Sequence, residues 1–196
     1  MAKIFITGSA DGLGLLAAKM LIDKEHEVVL HARNEERARQ AMIAAPGAKS
    51  ALVADLAVIE ETKQLAAGVN AMGKFDAVIH NAGIYRVPER NMSKDNIPVL
   101  FAVNSLAPYI LTALIHKPGR LIYLTSGMHR QGSAALDHLI PANLRANARI
   151  SYSDTKLQDV ILCMAVARKW PGVYANAVNP GWVPTKMGGP GAPDDL

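Results

Sequence analysis

The sequence predicts an α/β protein built on a single doubly wound parallel sheet with helices on both faces. Short β-rich runs alternate with longer helical stretches along all 196 residues. The runs Ala77–Ile79 and Leu121–Leu124 are apolar on both faces, which is typical of interior strands covered by helices. A glycine-rich turn directly follows the first β-rich run. Together these three observations favour a Rossmann architecture.

The elements follow in a regular order. Strands are expected at Lys3–Thr7, Glu27–His31, Lys49–Ala54, Phe75–His80, Arg120–Thr125 and Val173–Val178. Helices are expected at Gly12–Lys24, Glu35–Ala44, Val58–Asn70, Asn96–His116 and Tyr152–Lys169. Pro98 and Pro108 shape or interrupt the fourth helix, because proline cannot continue an interior helical hydrogen bond.

Two regions interrupt this alternation. Residues 127–150 separate the fifth strand from the last helix and are expected to include short helical turns. The tail from Pro180 to Leu196 holds four Pro and four Gly in 17 residues, which predicts a flexible loop. We therefore expect residues 1–196 to form a single domain that ends in this tail.

Composition excludes several classes of protein. Half of the residues are apolar and 19% are charged, which excludes disorder for the chain as a whole. The net charge of +4 comes without a basic stripe or aromatic platform, so no nucleic-acid partner is expected. The longest nearly apolar run, Leu106 to Ile115, is too short to span a bilayer. Cys163 is the only cysteine and reads as a packed thiol, which is compatible with a reducing cytoplasm.

The turn after the first strand has the glycine pattern of a dinucleotide site. It reads Thr7-Gly8-Ser9-Ala10-Asp11-Gly12-Leu13-Gly14. Gly8 allows the tight turn, Gly12 lets the main chain approach a pyrophosphate, and Gly14 lets the next helix lie close to the sheet. The helix N-terminus then offers free N–H groups to the phosphates. The residues predicted to bind the cofactor here are Gly8, Ser9, Asp11, Gly12, Leu13 and Gly14.

The residues after the second and third strands are predicted to contact the adenosine part of the cofactor, and the residue after the second strand distinguishes NAD from NADP. An acidic residue after the second strand would bind the 2′-hydroxyl of NAD, whereas this chain has Arg33, which suits the 2′-phosphate of NADP. NADP is therefore predicted over NAD, although Arg33 also fits a solvated turn. Asp55 and Leu56 follow the third strand and are predicted to bound the adenine; alternatively, Asp55 caps the next helix.

Tyr152 and Lys156 form a candidate acid–base pair. A spacing of four on a helix places both side chains on one face. A phenol beside an ammonium ionises more easily than a free phenol, whose pKa is about 10. Such a pair suits proton transfer to or from a carbonyl or alcohol oxygen.

These motifs, in this order, resemble the short-chain dehydrogenase/reductase family. The further matches are Asn81-Ala82-Gly83, Asn104, Ser126 and Pro180-Gly181. The resemblance implies that Asn104, Ser126, Tyr152 and Lys156 are catalytic. It also implies that the cofactor is held by Asn81, Ala82, Gly83, Tyr152, Lys156, Pro180, Gly181 and Val183. Taken alone, Ser126 also fits a turn hydroxyl, and Asn104 also fits a helix amide bonded to backbone.

Within that resemblance, Tyr152 gives a proton to a carbonyl oxygen and takes one back from an alcohol. Lys156 lowers the phenol pKa and binds the nicotinamide ribose, Ser126 polarises the substrate oxygen, and Asn104 anchors a water. The 26 positions from Ser126 to Tyr152 resemble the retinol-dehydrogenase-like branch, without implying retinol as substrate. Family members continue to a seventh strand, so the C-terminal strand is expected to be missing here.

The predicted function is that of an NADP-dependent oxidoreductase acting on a small carbonyl or alcohol substrate. The alternative is a non-catalytic NAD(P)-binding redox sensor or regulatory protein. His80, His129 and His138 lack metal-ligand spacing, so no metal is predicted. The helix after Tyr152 is apolar nearly all round from Leu157 to Ala167, which suggests a homodimer or tetramer in which a second face is covered.

Overall fold

Six parallel strands form one sheet in the computed structural model, which describes residues 1–85, 91–134, 150–185, 187–189 and 191. The strands are β1 (Lys3–Ile6), β2 (Glu27–Ala32), β3 (Ser50–Val53), β4 (Ala77–His80), β5 (Arg120–Leu124) and β6 (Tyr174–Val178). Their order across the sheet is β3-β2-β1-β4-β5-β6. Successive strands are added on one side of β1 as far as β3 and on its other side from β4 to β6. The switch point between β1 and β4 is where such sheets open a crevice for ligands.

Helices connect the strands at the predicted places. They are α1 (Gly12–Asp23), α2 (Glu35–Ala44), α3 (Ile59–Ala71), α4 (Val99–Phe101), α5 (Ala107–Leu114) and α6 (Tyr152–Lys169). The predicted doubly wound fold is confirmed. In the part of the chain that the structure describes, no helix is long and apolar enough to cross a membrane.

The core consists of two apolar layers, one on each face of the sheet. Alternation along β1 divides its side chains, so that Phe5 packs in one layer while Ile4 and Ile6 pack in the other. The Phe5 layer includes residues of α3, α5 and α6, and the second layer includes residues of α1 and α2. The strands are thus held between helices on both faces, which fixes the ends of β1, β4 and β5 relative to one another.

The predicted fourth helix is continuous but changes its winding. Residues Ala102–Leu106 form a π-helical segment between α4 and α5. Pro108 explains the change, since it has no N–H to donate to the carbonyl four residues earlier, which is that of Asn104. Ala107 instead donates its N–H to the Ala102 carbonyl, five residues earlier. The loosened turn is centred on Asn104.

The start of α6 is fixed by a capping box. Ser151 accepts a hydrogen bond from the backbone N–H of Asp154, and the Asp154 carboxylate accepts one from the backbone N–H of Ser151. Tyr152 is therefore held at the first position of the helix. A 3₁₀ turn at Gly127–Gln131 confirms part of the predicted connection. The remaining part, residues 135–149 with His138, lies outside the described residues.

Candidate active site and cofactor cleft

A cleft of about 810 Å³ opens at the carboxyl ends of the strands, next to the neighbouring strands β1 and β4. It lies within the size range of small-molecule and cofactor sites. The predicted residues that line it are Gly8, Asp11, Gly12, Leu13, Gly14, Arg33, Asp55, Leu56, Asn81, Ala82, Gly83, Tyr152, Lys156 and Pro180. The glycine turn, the arginine after β2 and the Tyr152–Lys156 pair therefore face one space.

The glycine turn lies against the end of β4 without room for side chains. Gly8 has φ +61°, a conformation that favours glycine, and a methyl group on it would come within 2.7 Å of the Ala82 α-carbon. A methyl group on Gly14 would come within 2.6 Å of the Gly8 carbonyl oxygen. At Gly12, by contrast, the nearest atom would be 3.7 Å away, on Thr185. The turn is thus closed toward the sheet and open toward the cleft.

His31 supports the turn from below. Its Nδ1 accepts a hydrogen bond of 2.9 Å from the Gly8 N–H, so Nε2 carries the ring proton and donates to the Ala54 carbonyl at 3.0 Å. Ser9 is also buried, and its hydroxyl donates to the Ile6 carbonyl and accepts from the His31 N–H. Burial lowers the pKa of His31 to about 4, which keeps the ring neutral near pH 7.

Two arginines line the end of the cleft beside β2. Arg33 follows β2 and is exposed, as its predicted phosphate-binding role requires. Arg37 lies in the first turn of α2 and forms an ion pair with Asp11 of the glycine turn. Asn34 fixes this geometry, since its side chain caps α2 by accepting the Arg37 N–H. Arg37 was not predicted from the sequence, although Arg33, Arg37 and Arg39 form the densest group of basic residues in it.

Asp55 and Leu56 border the same end of the cleft. The Asp55 carboxylate accepts a hydrogen bond from the Ala57 N–H, and the Asp55 N–H donates to the Glu61 carboxylate. Asp55 therefore shapes the turn that leads into α3, and it lines the cleft as well.

Asn81, Ala82 and Gly83 join the glycine turn to the catalytic side of the cleft. The Asn81 side chain donates to the carbonyls of Thr7 and Gly8 at 2.9 and 3.0 Å. A methyl group on Gly83 would lie 3.6 Å from both the Asn104 side-chain oxygen and the Lys156 ammonium nitrogen. A methyl group would make ordinary van der Waals contacts here, and glycine leaves that space open to the cleft.

Tyr152 lies where Ser126 can reach its phenol. The two side chains lie near enough for Ser126 to affect the pKa of Tyr152, although they are 26 positions apart in sequence. The Tyr85 ring packs edge-to-face against Tyr152, with 4.7 Å between the ring centroids. Burial raises the pKa of Tyr152 above its ordinary value; the Ser126 side chain partly offsets the rise, and the charge of Asp159 adds to it.

The pKa of Tyr152 is raised in this structure, with burial as the main cause, and the lowering that the resemblance implies for Lys156 stays a prediction. The Lys156 ammonium group lies 5.7 Å from the Tyr152 ring centroid and is bonded elsewhere. It donates to the Leu124 carbonyl at 2.7 Å and to the Asp159 carboxylate at 2.9 Å. The carboxylate balances the positive charge that would otherwise stabilise a phenolate.

Asn104 is fully buried and its side chain is engaged with the protein. Its oxygen accepts the Ile84 N–H at 2.8 Å, and its amide nitrogen donates to the Ile84 carbonyl and the Thr155 hydroxyl. The amide thereby ties the segment after β4 to α6. A water-holding role for Asn104 stays a prediction.

Some predicted residues do not line the main cleft in the described part of the chain: Ser9, Asn104, Ser126, Gly181 and Val183. Asn104 and Ser126 still contact residues of the site. Val183 is buried and borders a smaller pocket beside Asp11 and Leu13. Among the described residues, no group of three or more His, Cys, Asp or Glu side chains could hold a metal ion.

Comparisons of the sequence and of the fold with known proteins agree with one another. The family model for short chain dehydrogenases matches residues 2–195. An uncharacterised oxidoreductase of Emericella nidulans is 48% identical over 200 residues, covering 100% of this chain and 76% of that protein. The short-chain dehydrogenase chyC of Penicillium rubens is 42% identical, covering 100% and 77%. A short-chain dehydrogenase of Sphingobium yanoikuyae, solved with NADPH, superposes with a TM-score of 0.73 at 20% identity, covering 95% of this chain and 74% of that one.

Proposed function

Because the chain belongs to the short-chain dehydrogenase/reductase family, we propose that it is an NADP-dependent oxidoreductase that interconverts a small carbonyl compound and an alcohol. One observation carries this proposal. The Tyr152 phenol, with the Ser126 side chain nearby, faces the same cleft as the glycine turn. An acid–base group and a cofactor cradle are thus adjacent, as carbonyl reduction requires.

The residues of the cleft fit a dinucleotide. The glycine turn is closed toward the sheet at Gly8 and Gly14 and open at Gly12. The N-terminus of α1 follows it directly and favours the negative charge of a pyrophosphate. Gly83 leaves space beside Lys156 on the catalytic side. When bound, the cofactor would supply the hydride.

The choice of NADP over NAD depends on the arginines beyond β2. Arg33 is exposed in the cleft, and Arg37 lies in the first turn of α2. Asp11, the acidic group of the glycine turn, has its charge balanced by the ion pair with Arg37. The guanidinium of Arg33 favours a phosphate over a hydroxyl at this end, and Arg37 offsets the repulsion that the Asp11 carboxylate would exert on that phosphate.

The proposed catalytic roles follow from the contacts of each side chain. Tyr152 donates its phenolic proton to the carbonyl oxygen during reduction and is reprotonated from solvent. Ser126 positions that same oxygen through its hydroxyl group. Lys156 anchors the cofactor side of the site, and Asn104 holds the segment after β4 against α6. In alcohol oxidation Tyr152 takes the proton instead.

We also propose a cytoplasmic protein that pairs with itself through the helices around the site. Tyr109 and Leu114 on α5, and Ile161 and Met164 on α6, are exposed apolar side chains. Covering them with a second copy would remove this surface from water. Sedimentation at micromolar concentration tests the pairing, and a single species of 21.0 kDa would contradict it.

The function is tested by following the oxidation of NADPH and NADH across a panel of ketones, aldehydes and quinones. We expect turnover of at least one carbonyl class, with NADPH preferred. If the protein binds NADPH tightly but turns over no member of the panel, the redox-sensor alternative replaces the proposal.

A further inference from the structure

Asp159 is a buried carboxylate that the proposed mechanism does not use. It lies one helical turn after Lys156 on α6, and the two side chains lie on one face of the helix. Asp159 is 3% exposed and Lys156 is 4% exposed. One carboxylate oxygen of Asp159 accepts the Lys156 ammonium at 2.9 Å, while the other is buried without a hydrogen-bond partner among the described residues.

We propose that Asp159 is a positioning residue, whose carboxylate holds the Lys156 ammonium at the floor of the cleft and neutralises its charge. This inference rests on the proposed function, because it assigns a role within the same site. Burying a carboxylate with an unpaired oxygen is costly, so packing alone does not account for an acid at this position. An apolar side chain would fill the place with less penalty.

The hydrogen bonds of the Lys156 ammonium explain how its orientation is fixed. An ammonium group has three N–H donors. The Leu124 carbonyl at the end of β5 takes one and Asp159 takes a second. Both acceptors belong to elements fixed by the core, so the nitrogen is held from the strand and from the helix. One donor is left for the cleft that Lys156 lines.

The pairing of Lys156 with Asp159 also affects the ionisation of Tyr152. An isolated ammonium nearby would favour the phenolate, whereas an ammonium paired with a carboxylate favours it less. In agreement, the negative charge of Asp159 contributes to raising the pKa of Tyr152. The pair thus keeps Tyr152 in its protonated form near neutral pH, which is the form that donates a proton to a carbonyl.

Few other ionisable groups among the described residues act on this pair. Tyr85 packs against Tyr152 from the segment after β4. Tyr123 of β5 lies within electrostatic range of Asp159, and Cys163 follows Asp159 by one turn of α6. His80 of β4 stacks on Tyr123, and burial lowers its pKa to about 3, so it adds no charge near pH 7. Lys156 is the cation bonded to Asp159.

The test measures the ionisation of Tyr152 directly, in the protein without substrate. Tyrosinate absorbance is followed against pH, and the signal of a matched protein carrying Tyr152→Phe is subtracted. We expect Asp159→Asn, which keeps the shape and removes the charge, to move the Tyr152 midpoint down by about one pH unit. Asp159→Glu keeps the charge and should leave the midpoint near that of the wild type.

Two controls separate charge from packing. Cys163→Ala removes buried volume one turn further along α6, and should lower the melting temperature without moving the midpoint. Glu60→Gln removes an exposed charge on α3 and should change neither property. If Asp159→Asn fails to fold, Asp159→Ser, which leaves room for water beside the ammonium, takes its place with the same expectation.

An unchanged midpoint in the neutral variant, or an equal shift in Cys163→Ala, would overturn the assignment of Asp159. The proposed function fails separately, through the absence of any turnover in the carbonyl panel. A shifted midpoint without turnover would retain the Lys156–Asp159 coupling and reject the oxidoreductase. Turnover with an unshifted Tyr152 midpoint would retain the oxidoreductase and reject the Lys156–Asp159 coupling.

Discussion

The α-carbon of Gly14 lies so close to the Asn81 side chain that a methyl group on it would clash with the Asn81 amide nitrogen. That amide holds the glycine turn through the carbonyls of Thr7 and Gly8. The start of α1, the turn and the end of β4 therefore form one packed unit. A side chain at Gly14 must displace at least one of these three parts.

We therefore expect Gly14→Ala to lower the free energy of unfolding by about 2 kcal/mol, since overpacking a rigid contact typically costs that much. Gly68→Ala is the matched control, because Gly68 also lies in a helix but its nearest neighbours would be 4.0 Å away, on Leu52. The control should gain about 1 kcal/mol from helix propensity. Urea denaturation measures both values, and equal stabilities for the two variants would contradict the packing described.

Arg33 gives a prediction on cofactor choice. Removing a charge-assisted hydrogen bond costs about 1.5–3 kcal/mol, so Arg33→Ala should raise the Kd for NADPH by about 10- to 100-fold. The Kd for NADH should change little. Arg39→Ala is the control, since Arg39 is exposed on α2 and paired with Glu36. Fluorescence titration with both cofactors decides the matter, and an unchanged NADPH/NADH ratio in Arg33→Ala rejects the proposed phosphate site.

The lowered pKa of His31 leads us to expect a loss of folding stability in acid. Its pKa is about 4 in the folded protein and 6.5 in the reference state, so the unfolded chain binds the extra proton between these values. Stability from His31 is therefore present above pH 6.5 and is lost as the pH falls toward 4. At about 1.4 kcal/mol for each pH unit, the loss amounts to roughly 3 kcal/mol.

His31→Asn removes this titration and retains an acceptor for the Gly8 N–H. We expect the stability of the wild type relative to the variant to fall by about 3 kcal/mol between about pH 7 and about pH 4. Comparing the two proteins cancels the other titrating groups. Among these, His80 acts in the same direction, whereas Asp159, with a pKa raised by burial to about 6, loses stability as the pH rises. A difference that does not change with pH would contradict the buried neutral state of His31.

Local sequence patterns predict the sheet and most of the cleft. The strand and helix positions follow from runs of apolar residues, and the glycine spacing identifies the turn after β1 because it stands between a predicted strand and a predicted helix. Asp55, Asn81 and Pro180 come to the cleft because they follow parallel strands whose carboxyl ends meet at one edge. These features depend on chain order, which the sequence contains directly.

Features that depend on burial are harder to predict. The spacing of Lys156 and Asp159 is visible in the sequence, but their isolation from water is not, and it is burial that raises the pKa of Tyr152. The π-helical turn at Asn104 is also hard to predict, because Pro108 indicates that the helix is irregular but not which form the irregularity takes. Arg37 contacts Asp11 only because α2 packs beside the glycine turn. Each of these results needs the three-dimensional neighbours.

The proton-donor role of Tyr152 is tested most directly by the single-turnover rate of carbonyl reduction in Tyr152→Phe, with NADPH and a substrate found in the panel. Loss of a general acid should slow the reaction by at least about 100-fold, while the Kd for NADPH stays within about twofold. Tyr109→Phe, which alters an exposed phenol on α5, should react like the wild type. A Tyr152→Phe protein that reduces the substrate at the wild-type rate would contradict the proposed mechanism.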